Sequence, residues 1–240
     1  MAHRRVRPRP AAVLGVVAVA EALLVYLGRT YGSTMRERRM GLPGDDIVDK
    51  PNVVTNHAIT IDAPTSSVWP WLVQMGWHRA GWYTARWVDR LLFPANWPSA
   101  GRIIPELQDT RIGSFVPDGA PETGCGFIVE KLEPQASLVL HSTSHLPTSW
   151  RMRHGAALDW SWAFILLPVD DGRRTRFIFR SRWTTAPWWL TLGGRFAVVP
   201  ADFVMSRDML HGVKDRAEVL HASQASATSG ASRRLRQVVP

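Results

Sequence analysis

The sequence predicts an α+β domain in which a curved antiparallel sheet is closed over an apolar interior by a long C-terminal helix. Three observations carry that prediction. An alternating apolar segment is followed at once by two short helical patterns, five strand-like segments separated by turn signals come next, and the last patterned stretch is one long amphipathic helix. The chain has no internal repeat, and its strands do not alternate with helices as a parallel sheet requires.

The ends of the chain hold all of its excess charge. The 240 residues carry a formal net charge of +9. Residues 1–40 contribute +6 through Arg4, Arg5, Arg7, Arg9, Arg29, Arg36, Arg38 and Arg39 against Glu21 and Glu37, and Arg233, Arg234 and Arg236 contribute +3. The remaining span is neutral, so it lacks the basic face that nucleic acid binding requires, and no nucleic acid partner is expected. Ala11 to Gly28 is an apolar run broken only by Glu21, with arginines on both sides. Its length just suffices to cross a bilayer, so residues 11–28 are expected to be a single-pass membrane anchor, with balanced flanking charge leaving its orientation open. Two alternatives are a secretory signal cleaved after Ala18-Val19-Ala20 and a helix lying on the domain or membrane surface. Residues 41–52 read as a linker and 53–220 as the domain. Residues 221–240, rich in Ser, Ala and Thr, read as a disordered basic tail.

Within the domain, Asn52 to Asp62 alternates as a strand and ends at Ala63-Pro64-Thr65, where Thr65 is expected to cap a helix. That helix, SSVWPWLVQMG, places Val68, Trp69, Leu72, Val73 and Met75 at helical spacing, with Pro70 near its first turns and Gly76 as its stop. A second short helix is read over WYTARWVDRLL, with Tyr83, Trp87, Val88 and Leu91 on its apolar stripe. From Arg111 the period changes to that of strands: RIGSFVPDG, CGFIVEKLEP, SLVLHSTS, LDWSWAFILLPV and TRFIFRSRWT, the last two joined at Asp170-Asp171-Gly172. Ala201 to Leu220 is the closing helix, with Phe203, Met209, Leu210, Val213, Ala217 and Leu220 as its apolar stripe and Pro200 suited to its first position. Gly212, in its middle, costs helix stability of about 1 kcal/mol and so marks a close approach to a ligand or to the sheet.

This order of elements, together with the strings ITIDAPTSSVWPWLVQMGWHRAGWYT, GRIIPELQ, SWAFILLP and TRFIFRSR, resembles the SRPBCC superfamily over roughly residues 53–220. That superfamily includes START-type lipid-transfer domains, birch-pollen-allergen-like proteins and polyketide cyclases, and the strings resemble those of one of its bacterial branches. One departure is Ser99-Ala100-Gly101, where that branch often has Asn-Ala-Asp, a change expected to alter a loop at the cavity mouth. The resemblance implies the helix-grip fold and a cavity for a small hydrophobic ligand, lipid or polyketide-like. It supplies no catalytic residues.

The residues themselves supply candidates. Trp160, Trp162 and Phe164 share one strand face, and with Phe203 and Met209 of the closing helix they are expected to line the cavity. Arg180 and Arg182 alternate with Phe179, Ser181 and Trp183, and the pleat allows only one set to face the cavity. Outward, the arginines are solvated charges; inward, they bind an acidic ligand head or pair with a carboxylate, for which Glu106 is the candidate. A cyclase- or dehydratase-like enzyme is the alternative to a binding module, with Tyr83 or His78 polarising a carbonyl, and an interaction module without a ligand is a third. His57, His141 and His145 are the minimal material for a metal site, but no carboxylate recurs beside them, so neither metal nor cofactor is expected. Cys125, the single cysteine, reads as a small buried residue.

Overall fold

A computed structural model describes residues 10–92 and 94–238. Six strands form one antiparallel sheet in the order β1-β6-β5-β4-β3-β2. They are β1 (Val53–Ile61), β2 (Phe115–Pro117), β3 (Gly126–Glu133), β4 (Ser137–Ser142), β5 (Ala157–Val169) and β6 (Arg174–Ala186). The hairpin between β5 and β6 turns at Asp170, Asp171 and Gly172, all with positive φ, the geometry whose twist suits two long antiparallel strands. A register shift between Val129 and Lys131 bends β3 over β4.

Helix α1 (Pro10–Thr30) and the short α2 (Met35–Arg39) precede the sheet. Helices α3 (Thr65–Val73) and α4 (Arg86–Leu92) fall between β1 and β2, and α5 (Thr148–His154) lies between β4 and β5. After β6 come α6 (Trp188–Gly193), a π-helical turn at Gly194–Val198 and α7 (Val199–Val238). Pro200 is therefore not the first residue of an isolated helix. It has no N–H to give to the preceding turn, and the ladder widens to the π register just before it. This is the helix-grip arrangement: a curved antiparallel sheet held against a long C-terminal helix, with two short helices after the first strand. Helix α7 runs on to Val238, through the segment that composition reads as a tail.

Local boundaries differ from expectation where backbone geometry overrides pattern. Pro64, not Thr65, is the N-cap of α3, and it offers no side-chain bond; Pro70 lies inside the helix. Gln74 ends α3, and Gly76, at φ 129°, instead forms a bridge with Gly81. Tyr83 is not on α4 at all. It sits before that helix at φ 60° and is buried, while on the helix Val88 is covered and Trp87 and Leu91 are exposed.

The pleat divides the sheet into two faces. Leu138, Leu140, Trp162, Phe164, Leu166, Phe177 and Phe179 face α3 and α7 and form the main core with Trp71, Leu72, Trp82, Tyr83, Met209, Leu210 and Val213. The opposite face carries Ala58, Val139, Ala163, Ile165 and Ile178, and Leu42, Met40 and Ile47 cover it. The segment read as a linker is thus a strap packed on the back of the sheet. Arg180 and Arg182 lie beneath it, pointing away from the core. They are not solvated: Arg180 is 3 % exposed, bonded to Asp45 at 2.6 Å, to Asn56 and to the carbonyls of Glu37 and Met40. Its carboxylate partner is Asp45, which corrects the expected Glu106. Beside it Glu37 takes two bonds from Arg176, at 2.7 and 2.9 Å. Burial pushes the Glu37 carboxyl up, but the bonds from Arg176 and the Thr34 N–H outweigh it and bring it down to about 2.

Helix α1 joins this body along its C-terminal part. A Cβ at Gly28 would stand 2.6 Å from the Val199 carbonyl oxygen, Tyr31 packs edge-on against Phe203 and bonds His211, and His57 donates to the Gly28 carbonyl at 2.8 Å. Among the described residues no helix is long and apolar enough to cross a membrane. The single-pass localisation expected from residues 11–28 is corrected accordingly.

Gly212 meets neither a ligand nor the sheet. A Cβ there would lie 1.9 Å from the carbonyl oxygen of Tyr83, so α7 crosses directly over the backbone of that loop. Ala normally strengthens a helix interior by about 1 kcal/mol over Gly. At Gly212 the sign should reverse, with Gly212→Ala losing at least about 2 kcal/mol in urea denaturation. Gly193→Ala, where nothing stands within 4 Å, should be neutral or stabilising. In the strap, Asp45→Ala strips a buried guanidinium of its carboxylate and should cost about 3–5 kcal/mol by the same measurement.

Candidate functional site

The space between sheet and closing helix is filled at one end and open at the other. Around Tyr83 it is solid: the Tyr83 hydroxyl donates to the Trp71 carbonyl at 2.8 Å and accepts from Gln74 Nε2 at 3.0 Å. Gln74 also donates to the Arg102 carbonyl and accepts from the Ile104 N–H and from Gln108 Nε2. Burial pushes the Tyr83 phenol well above its usual range. Near the start of α7 lies a cavity of about 400 Å³.

Its walls are mostly indole. Trp160 comes from β5, Trp183 from β6, Trp150 from α5 and Trp189 from α6, with Leu158, Leu190 and Val198 between them. Trp150 and Trp189 meet edge to face at 5.8 Å, and Trp160 lies 6.2 Å from Trp183. The N–H groups of Trp160 and Trp183 both donate to Ser181 Oγ, at 2.6 and 3.0 Å, which ties down the polar ends of both rings. Gly194 brings the π-helical turn onto the ring of Trp183, where a Cβ would sit 3.1 Å from it.

The floor is polar. Asp202 of α7 and His145 of the loop after β4 both line the cavity. His145 Nε2 donates to Asp118 Oδ2 at 3.0 Å, which leaves Nδ1 to accept from the Ser142 hydroxyl at 2.8 Å. Asp202 accepts from Ser206 at 2.8 Å. Asp202 keeps some accessible surface, but that surface opens into the cavity and protein surrounds it otherwise. Desolvation raises its carboxyl to about 6; the Ser206 bond opposes this and the charge of Asp118 adds to it.

The expected site residues separate. Trp160 lines the cavity. Trp162, Phe164 and Met209 are buried in the packed half. Phe203 packs on Tyr31. Tyr83 is a core residue, and Arg180 and Arg182 hold the strap. His78 is an exposed loop residue stacked on Trp97 at 4.6 Å, with its ring bonded to the Ala95 carbonyl. Ser99 accepts the Tyr83 N–H and so belongs to the packed corner, not to a cavity mouth. His57, His141 and His145 stand apart, bonded to Gly28, Asp159 and Asp118 respectively. Among the described residues no group of three His, Cys, Asp or Glu side chains is placed to hold a metal ion. Cys125 is half-buried, its thiol pushed up to about 11 by burial and by Asp118.

Asp202, Trp150 and Trp189 are cavity residues that sequence reasoning missed, while Trp183 lines it on one of the two readings its strand allowed. A helical polar face and a tryptophan-rich composition look the same whether they border solvent, core or cavity.

No family model matches this sequence, and no curated protein matches it. Among solved structures, a hypothetical protein of Helicobacter pylori aligns at 12% identity and a TM-score of 0.46, covering 74% of this chain and 95% of that one. The di-domain ARO/CYC protein BexL of the BE-7585A biosynthetic pathway aligns at 18% identity and a TM-score of 0.35, covering 69% of this chain and 46% of that one. Norcoclaurine synthase of Thalictrum flavum, a point mutant bound to a transition state analogue, aligns at 10% identity and a TM-score of 0.34, covering 66% and 95%. These likenesses concern the course of the chain, and no function is taken from them.

The raised Asp202 carboxyl makes a signed prediction. Between its unfolded value near 3.8 and its folded value of about 6 the native state binds more protons than the unfolded state, so this group's contribution to stability falls as pH rises through that window. His57, buried and lowered to about 4, contributes the opposite slope, but it is common to both proteins in a comparison. Asp202→Asn should therefore be more stable than the wild type at pH 8, by no more than about 3 kcal/mol, and equal to it below pH 4. Paired urea melts at the two pH values measure it.

Proposed function

We propose that the protein binds a small hydrophobic molecule in the tryptophan-walled cavity at the start of the closing helix. The observation that carries this reading is the cavity itself. About 400 Å³ lies within the range of small-ligand sites, and its walls combine apolar indoles with a few convergent polar groups. The ends of two indoles are already hydrogen-bonded to Ser181, so an apolar guest leaves neither N–H unsatisfied.

Asp202 and His145 favour a second reading, a cyclase- or dehydratase-like enzyme. A carboxyl raised toward neutral pH and an imidazole oriented by Asp118 are the acid–base groups such chemistry uses. On that reading these two residues replace Tyr83 and His78 as the catalytic candidates. Mass spectrometry of molecules that co-purify from the native host bears on both readings: a retained apolar compound supports binding, and a bound compound that changes in mass on incubation supports catalysis.

Binding itself is tested with the neutral probe N-phenyl-1-naphthylamine. Its fluorescence should rise on mixing with the protein. Trp160→Ala, with native folding verified by circular dichroism, should weaken the probe at least about tenfold, a loss of about 1.4 kcal/mol. Equal affinity in the two proteins would place the probe elsewhere.

A further inference from the structure

The floor of the cavity holds more negative than positive charge, and this bears on which hydrophobic molecule fits. Asp202 has one hydrogen-bond partner, Ser206, and its charged neighbour is another acid, Asp118. Asp118 spends one oxygen on His145, and its other oxygen, Oδ1, is buried without a partner. Among the described residues no Lys or Arg pairs with Asp202. The nearby arginines are engaged elsewhere: Arg195, in the π-helical turn, reaches the Asn52 carbonyl at 2.7 Å, and Arg207 reaches Asp208 at 3.4 Å. A desolvated carboxylate is costly unless a cation meets it. Around it stand indole faces, which attract cations as well as apolar groups.

We propose that the cavity selects a lipophilic amine, with its ammonium against Asp202 and its apolar body among Trp150, Trp160, Trp183 and Trp189. This deepens the reading of the cavity as a small-ligand site and rests on it. The two parts of the lining do different work: the indoles take any apolar body of suitable size, and Asp202 discriminates by charge. A neutral ligand leaves the carboxylate uncompensated, and an anionic one adds a second like charge beside it.

Isothermal titration at pH 7.5 with three probes on one scaffold tests this: 2-(2-naphthyl)ethylamine, 2-(2-naphthyl)ethanol and 2-naphthylacetate. The amine should bind at least about tenfold tighter than the alcohol, and the acetate should bind weakest. In Asp202→Asn and in Asp202→Ser, the amine and the alcohol should bind within about threefold of each other. If the amine binds the wild type no tighter than the alcohol, or if its preference survives both substitutions, the amine assignment is overturned while the cavity stands. If none of the three probes binds, the cavity reading falls with it. The wild-type comparison decides the matter even where a variant fails to fold.

Discussion

The contact between Gly212 and the backbone of Tyr83 sets the spacing of the whole concave side. With no side chain at that point, α7 lies directly on a loop that is itself held at a positive φ. Tyr83 is fixed from the other side by Trp71, Gln74 and Ser99, and the Arg216 guanidinium lies 4.8 Å from the centre of its ring. The helix therefore crosses the sheet closely at its middle. Around Tyr83 the core is packed with aromatic side chains, and toward α6 lies the tryptophan-lined cavity. The π-helical turn and α6 cap that cavity instead of filling it.

The back of the sheet solves a different problem. An antiparallel sheet can leave one face to water, yet here Ala163, Ile165 and Ile178 are apolar and Arg180 stands among them. The strap from Glu37 to Val48 covers both. Its carbonyls and Asp45 supply the acceptors that a buried guanidinium needs, and Glu37 does the same for Arg176. Because such pairs tolerate little displacement, they fix the path of the strap more sharply than apolar packing alone. The contribution of Glu37 is present above pH 4.5 and is lost as pH falls toward 2.

In the cavity, geometry and electrostatics point to one end. The indoles come from four elements, α5, β5, β6 and α6, and the acid comes from a fifth, α7. The rings of Trp160 and Trp183 are held by Ser181, so that part of the wall is set before any guest arrives, and less ordering cost attends binding there.

Much of this was legible in the chain. Strand alternation, the Asp-Asp-Gly turn, the long amphipathic helix and the out-of-place Gly212 determined the elements, their order and one close approach, because each depends on local periodicity or on a residue's own backbone freedom. The strings around Gln74 and Gln108 were legible as motifs, though their role was not: the two amides bond to each other and tie α3 to the segment after α4, a structural junction and not a reactive site. Tertiary structure alone decided which face the arginines took, since the pleat permits either and only the strap, distant in sequence, supplies Asp45. It also decided which tryptophans line a cavity. Trp162 and Trp160 are two residues apart on one strand face, yet Trp162 is core, packed against Trp82, Phe127 and Phe179, while Trp160 borders the cavity with Trp183. A sequence records that a side chain is apolar; how far away the opposing element stands depends on the whole fold.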